Sequence, residues 1–400
     1  MSSGFARNAI VLGLLSAIGP FAIDMYLPAL PSIATDLNAS TAATQMTLTV
    51  FFVAFGVCQI IYGPVSDMVG RKPPLYFGIV IFALGSIGCG LAPGITWLIV
   101  FRFIQGLGAA AVAVIPRAVI RDLHTGFEAT RLMSLVMLVF SVSPILAPLT
   151  GSALIVPFGW RAVFAVVTIG AVLSFLLVAF LLPETRLSED RVEVSVDSVL
   201  GGFAELFRDR RFLGLTFIGG FGLASFFVFL ASSSFVYIQH FGLTPTQYSL
   251  AFSVNAVGFI GASQFSAALA RRFGISSVVI VAVTCFAAMS VLLFAIVALG
   301  VDNLAVLIGL LFVAFAWLGL VIPSTMVLSL EHHGPIAGMA SALGGTLQMV
   351  TGAVMIVVAS AFFNGTALPM VTTIAVCAVA ALILTRLTLP KEKPAAQLAE

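Results

Sequence analysis

Long apolar runs separated by short polar breaks fill almost the whole chain. Crossing a bilayer takes about 20 mostly apolar residues. Twelve stretches are that long, near residues 9–29, 44–65, 75–92, 97–117, 132–156, 161–182, 212–235, 247–269, 277–299, 304–327, 338–362 and 367–387. Backbone amides in lipid must bond within their own segment, so each stretch predicts a helix. Barrel strands would be shorter and would alternate in polarity. The pattern predicts an all-α membrane protein with twelve transmembrane helices.

The breaks carry the charge. With the N-terminus on the inner side, that side receives Arg7, Arg71, Lys72, Arg117, Arg121, Arg131, Arg186, Arg191, Arg208, Arg210, Arg211, Arg271, Arg272, Arg386, Lys391 and Lys393, and the other side only Arg161. This asymmetry predicts cytoplasmic termini. The one long polar stretch, 184–211, divides six spans from six. The organisation read from this is an N-terminal half 1–183, a linker 184–211, a C-terminal half 212–390 and a tail 391–400. Within the linker, "VDSVLGGFAELFRD" has the pattern of a short surface helix, although a solvated linker is the preferred reading. The loops after spans two and eight also match: Arg272-Phe273-Gly274 aligns with Met68-Val69-Gly70, and Arg271 stands where Asp67 stands. Equal halves with matching loops predict two pseudo-symmetric six-helix repeats around a site near the midplane, a transporter architecture.

Composition narrows the class. The chain is 60% hydrophobic and 8% charged, against about 25% charged in soluble domains. Its net charge of +2 gives no pull toward nucleic acid. The four cysteines, Cys58, Cys89, Cys285 and Cys377, lie apart in apolar runs, which argues against disulfides or a metal site. No lysine follows a glycine, so there is no phosphate-binding loop, and no histidine falls in a predicted span. An enzyme is not expected. The first run is too long for a signal peptide and reads as an uncleaved span.

Asp24 interrupts the first run, in "FAIDMYLPALP". On a straight helix it lies roughly 8 Å below the outer end. Arg102 lies at similar depth in span four. Charged groups within a span are costly and face a cavity or each other, and the matching depth permits a pair. Low dielectric favours a protonated carboxyl and a nearby guanidinium favours the ionised form. Substrate or water moving between them could load or release a proton. The competing readings are a static ion pair fixing spans one and four, or a carboxylate simply near the interface; for Arg102, positioning Asp24 and controlling its proton stand equal. A single carboxyl implies one proton per cycle. Exchange against a neutral molecule would then use the pH gradient, about 1.4 kcal/mol per unit, and the potential, about 2.3 kcal/mol per 100 mV.

Other positions suggest mechanics and recognition. In the loop Gly63–Pro73, Asp67 could cap a helix of the other half, while glycines allow tight turns. Pro144 and Pro148 remove backbone donors in span five, and Gly151 permits close packing. A small-molecule pocket should be apolar with a few polar groups. Candidate contacts are Tyr26, Gln105, Phe226, Phe229, Phe252, Asn255, Phe259 and Gln348. For any single Phe, packing competes with ligand contact, and for Asn255 and Gln348 a helix–helix hydrogen bond competes.

These stretches also resemble a known family. "GPVSDMVGRKP" at 63–73 resembles the loop signature of the major facilitator superfamily, and "RFIQG" at 102–106 its intramembrane arginine motif. "SPILAPLTGS" in span five resembles the Pro-Gly motif of the drug:proton antiporter branch, with Ala147 and Ser152 where glycines are usual. "IDMYLPALP" and "PRAVIRD" look most like the Bcr/CflA drug-resistance subfamily. The resemblance implies that Gly63, Asp67, Gly70 and Arg71 form a conformational latch and that Pro144, Pro148 and Gly151 act as the antiporter kink. It implies a proton-coupled antiporter exporting small amphipathic drugs; a lone acid with an arginine beside it is a poor trap for cations, which points to neutral or zwitterionic ones, such as amphenicol- or bicyclomycin-like antibiotics. Its setting would be the bacterial cytoplasmic membrane, as a monomer, with protons as coupling ion and no other cofactor. The alternative is a proton-coupled symporter importing a small nutrient.

Overall fold

The computed structural model describes residues 3–124, 126–186, 189 and 196–389. The tail 391–400, with Lys391 and Lys393, and Arg191 of the linker lie outside the described residues. Among those described, twelve helical stretches are long and apolar enough to cross a membrane, and no strand forms. Span one is α1 (Ser3–Asp24), a 3₁₀ turn (Leu27–Ala29) and α2 (Leu30–Asp36). Spans two to six are α3 (Thr41–Val69), α4 (Lys72–Leu91), α5 (Ile95–Leu123), α6 (Gly126–Phe158) and α7 (Arg161–Leu181). After α8 (Val196–Arg208), span seven is α9 (Arg210–Ser234) with a π turn (Phe235–His240), and span eight is α10 (Pro245–Ser263) with α11 (Ser266–Phe273). Spans nine to twelve are α12 (Ile275–Ala298), α13 (Leu304–Leu330), α14 (Ala337–Ala361) and α15 (Leu368–Thr388).

Two sequence expectations change. Span one continues to Asp36 rather than stopping near residue 29, and it is broken after Asp24. Pro28 has no N–H for the Asp24 carbonyl four residues back, and its ring crowds that carbonyl. The linker is also more than solvated chain. Its "VDSVLGGFAELFR" forms α8, whose Leu206 is buried with Phe212, Ala340 and Leu343.

The repeat is visible in which helices touch. In the first half α3 and α4 both pack on α5, α4 on α7, and α1 on α5, α6 and α7. In the second half the equivalents do the same: α10 and α12 pack on α13, α12 on α15, and α9 on α13, α14 and α15. The equivalent loops turn at Gly70 (φ 100°) and Gly274 (φ 81°), where a side chain would be strained. The halves meet along two related seams, α3 against α14 and α6 against α10.

Close approach within each half depends on missing side chains. A Cβ on Gly106 of α5 would lie 2.5 Å from the Phe51 carbonyl oxygen of α3, whereas one on Gly19 of α1 would meet nothing within 4 Å. Gly106→Ala is therefore expected to cost about 1–3 kcal/mol, and Gly19→Ala to be neutral or stabilising. Thermal unfolding of the two variants in detergent checks this.

Candidate functional site

The break in span one leaves carbonyls without their helical partners. Arg102 fills that gap: its Nη1 donates to the Ala22 carbonyl at 3.2 Å and to Gln105 Oε1 at 2.6 Å. A cation suits the C-terminal end of a helix. The guanidinium also lies 4.6 Å from the Tyr26 ring centroid and 4.5 Å from that of Phe51, a cation–π clamp. Arg102 is fully buried, and its Nε and Nη2 have no hydrogen-bond partner. Gln105 is held in turn, donating to Ser86 Oγ at 2.7 Å. The Tyr26 hydroxyl pairs with Thr47 Oγ1 at 2.9 Å.

Asp24 is the last residue of α1, twelve residues before the end of its span. The straight-helix estimate placed it too near the surface. It is 6% exposed, and among the described residues no hydrogen bond or ion pair engages its carboxyl. Asp24 and Arg102 are not an ion pair; the arginine grips the backbone two residues earlier.

The proposed substrate contacts divide into three groups. Tyr26 and Gln105 are fully buried inside the N-terminal half, committed to Arg102 and its supports. Phe226, Phe229, Phe252 and Phe259 do come together, joined by Phe315, which sequence reasoning missed. Phe226 stacks on Phe259 at 5.2 Å and Phe229 on Phe252 at 5.4 Å, and Phe315 lies 5.1 Å from Phe229. Asn255 is fully buried below Phe252. Gln348 is half-buried on α14, against Gly219 and Gly220 of α9.

At the arginine-rich end, the 63–73 loop is anchored within its own half. Arg71 bonds Asp67 at 2.7 Å, Asp122 at 2.7 Å and Ser66 Oγ at 2.7 Å. Glu184 accepts the backbone N–H groups of Arg71 (2.8 Å), Lys72 (3.0 Å), Thr185 (2.9 Å) and Arg186 (3.0 Å). Asp67 thus pairs with Arg71, not with a helix of the C-terminal half. No side chain of another helix lies within 4 Å of a Cβ on Gly63. Arg117, read as the end of span four, sits inside α5, 5.8 Å from the Phe140 ring.

Span five is one helix through Pro144 and Pro148. Gly151 presses on the Met25 backbone, with no room for a Cβ. Its seam with α10 is fastened at one end. Ser249 Oγ reaches the Pro148 carbonyl (2.8 Å) and that of Pro245 on its own helix (2.9 Å). Ser253 Oγ reaches Ile145 (3.2 Å) and its own Ser249 (2.8 Å). Toward the arginine-rich end the seam parts into a cavity of about 750 Å³, lined by Arg121, Met133, Met137, Ser141, Ile145, Ile260 and Gln264 among others. The α3–α14 seam stays closed over a longer reach. Thr346 Oγ1 lies 2.6 Å from the Gly56 carbonyl and 3.0 Å from its own Ala342. Gln45, unremarked in the sequence although it is a polar side chain within a span, donates to the Ala231 carbonyl at 2.9 Å. It also accepts from Ser360 Oγ at 2.5 Å, whose own-helix alternative is Ile356 at 2.7 Å.

The sequence profile described as "Major Facilitator Superfamily" matches residues 12–356. The chain belongs to this superfamily. As a member it is a multi-pass membrane transporter, not an enzyme. It is 38% identical over 353 residues to the uncharacterised MFS-type transporter YdgK of Bacillus subtilis (strain 168), covering 87% of each chain. It is 32% identical over 373 residues to a bicyclomycin resistance protein homolog of Haemophilus influenzae, covering 92% of this chain and 93% of that one. Multidrug resistance protein D of Escherichia coli (strain K12) is 30% identical over 348 residues, 86% of each chain. Among solved structures, a D-xylose-proton symporter superposes with a TM-score of 0.76 at 16% identity, covering 97% of this chain and 98% of that chain. That last likeness concerns the fold alone. The 63–73 loop and Arg102, whose geometry is given above, both lie within the matched residues.

Two outcomes follow for this superfamily member. Gln105→Leu removes an acceptor from a buried guanidinium and should cost about 1.5–3 kcal/mol, read as a lower thermal midpoint. Glu184 supplies a pH signature. Burial pushes its carboxyl up, but the four backbone N–H groups outweigh this and hold it below the ordinary range. Its stabilising contribution is present above the unfolded value, about 4.3, and is lost as pH falls through the lower folded one. The gap in thermal midpoint between wild type and Glu184→Gln should be constant near neutrality and close in acid.

Proposed function

We propose that this chain is a proton-coupled antiporter that exports small amphipathic drugs, neutral or zwitterionic and bicyclomycin- or amphenicol-like, by alternating access. The observation that carries the reading is Asp24, a carboxyl buried within a span at a helix break and free of any hydrogen bond or counter-ion. A carboxylate locked onto Arg102 would keep its charge through the cycle. One with no fixed partner can exchange a proton whenever its surroundings change. Arg102 then acts as a positioning residue that fixes the break on which Asp24 stands. Relatives named for bicyclomycin resistance, chloramphenicol resistance and multidrug resistance support a drug as the exchanged substrate.

The arginine-rich end is cytoplasmic by the positive-inside rule, in a bacterial cytoplasmic membrane. The parted α6–α10 seam therefore faces the cytoplasm, the side from which an exporter loads. Gly63, Asp67, Gly70 and Arg71 serve as the latch. In this conformation Asp67 is held by Arg71, and closing the cytoplasmic side would turn it toward the other half. Gly151 keeps α6 tight against Met25, beside the proton carrier. The protein works as a monomer with protons as its coupling ion.

Proteoliposomes carrying a pH-sensitive dye test this reading. Adding chloramphenicol or bicyclomycin should move protons in wild type and not in Asp24→Asn, while the variant still binds drug. If the variant still exchanges protons for drug, Asp24 is structural. If no drug moves protons in wild type, export fails and proton-coupled uptake takes its place.

A further inference from the structure

The parted end of the α6–α10 seam leaves a cavity of about 750 Å³. Its α6 wall runs from Ala129 to Ile145, about 24 Å of helix. One membrane leaflet with its headgroup layer is about 20–22 Å deep, so the crevice is as tall as one leaflet. Its inner end stops at the bond from Ser253 to the Ile145 carbonyl. Its mouth is at the arginine-rich surface, where α10 gives way to α11. No residue of α11 is buried. Phe265 and Phe273 are exposed beside Arg271 and Arg272, the composition of a helix resting on a membrane surface. The helices that frame the crevice also expose Leu135, Leu146 and Val257, apolar surface that faces hydrocarbon, so the crevice borders the bilayer.

The lining changes along its length. Below the mouth it is largely hydrocarbon, with Met133, Met137, Val142 and Ile260. Ser141 spends its hydroxyl on the Met137 carbonyl of its own helix at 3.0 Å. Unbranched methionines adapt their shape to a flexible chain. At the mouth stands Arg121, exposed and with no carboxylate partner among the described residues. The acids near it in sequence are committed, Asp122 to Arg71 and Glu128 to His124. An unpaired cation above a hydrocarbon slot is the complement of an anionic amphiphile. We propose that the crevice holds one anionic phospholipid of the cytoplasmic leaflet, with its phosphate on Arg121 and an acyl chain along Met133, Met137 and Ile260. The chain keeps the α6–α10 seam parted, so the bound lipid favours this conformation. The inference needs the arginine-rich end to be cytoplasmic and holds whatever substrate is transported.

Native mass spectrometry of the full-length protein in detergent tests this, with titration by phosphatidylglycerol or by phosphatidylcholine of the same acyl chains. Wild type should retain one phosphatidylglycerol about 5-fold more tightly than phosphatidylcholine, the preference that one arginine near an anionic headgroup supplies. Arg121→Gln should abolish the preference and Arg121→Lys keep it, both melting as wild type does because the side chain is exposed. Ser141→Trp fills the crevice and should weaken retention of both lipids, while inorganic phosphate should compete with neither. If replacing Arg271 and Arg272 by Gln costs as much as Arg121→Gln, the attraction belongs to the whole basic surface and the site fails. Unchanged retention in Ser141→Trp would put the acyl chain elsewhere, and competition by phosphate would leave an anion site without a chain; either overturns the proposal.

Discussion

Everything at the centre of this molecule depends on the break in its first span. Pro28 denies the Asp24 carbonyl a partner, and at the same helix end the Ala22 carbonyl takes its donor from another helix, the cation of Arg102. Arg102 is fully buried, an expensive place for a charge. A carbonyl, an amide oxygen and two aromatic faces offset that cost without any carboxylate. Arginine suits this task because its planar fork can donate to two acceptors while stacking on rings. The arrangement leaves the one carboxyl at the break unpaired. The cation that grips Ala22 and the acid two residues further along α1 are thus kept apart rather than joined as a pair.

The fold was legible because lipid permits so little. Internal satisfaction of the backbone turns every long apolar run into a helix, and all twelve predicted runs became spans within a few residues at most ends. The matching loops at Gly70 and Gly274 were legible too, since a positive φ favours glycine in both repeats. Asp24 stood out as an acid in an apolar run. Its relation to Arg102 was not legible, because depth was reckoned on a straight helix and Pro28 was not read as a break. Tyr26 and Gln105 looked like pocket residues because polar groups in spans need a reason; the reason is Arg102. Gln45, a polar side chain within a span, offered the same signal and was passed over, whereas Phe315 carries none that separates it from ordinary span residues. Only tertiary packing brings them to their partners.

The two halves share one pattern of neighbours yet meet unequally. The α3–α14 seam is closed over several turns, from Gln45 to Gly56, whereas the α6–α10 seam is held at one end and parted at the other. Under the alternating-access reading proposed above, the closed seam would part and the parted one close in turn.

The hydroxyls that fasten these seams explain how such an exchange stays affordable in lipid. Ser249, Ser253, Thr346 and Ser360 each reach across to the other half, and each also has a carbonyl of its own helix within 3.0 Å. When a seam separates, the proton on each oxygen rotates from the foreign acceptor to the domestic one. No donor is stranded in hydrocarbon, so the separation costs little in hydrogen bonding. The fasteners behave as reversible clasps: they register the halves against each other when closed and retract into their own helices when open.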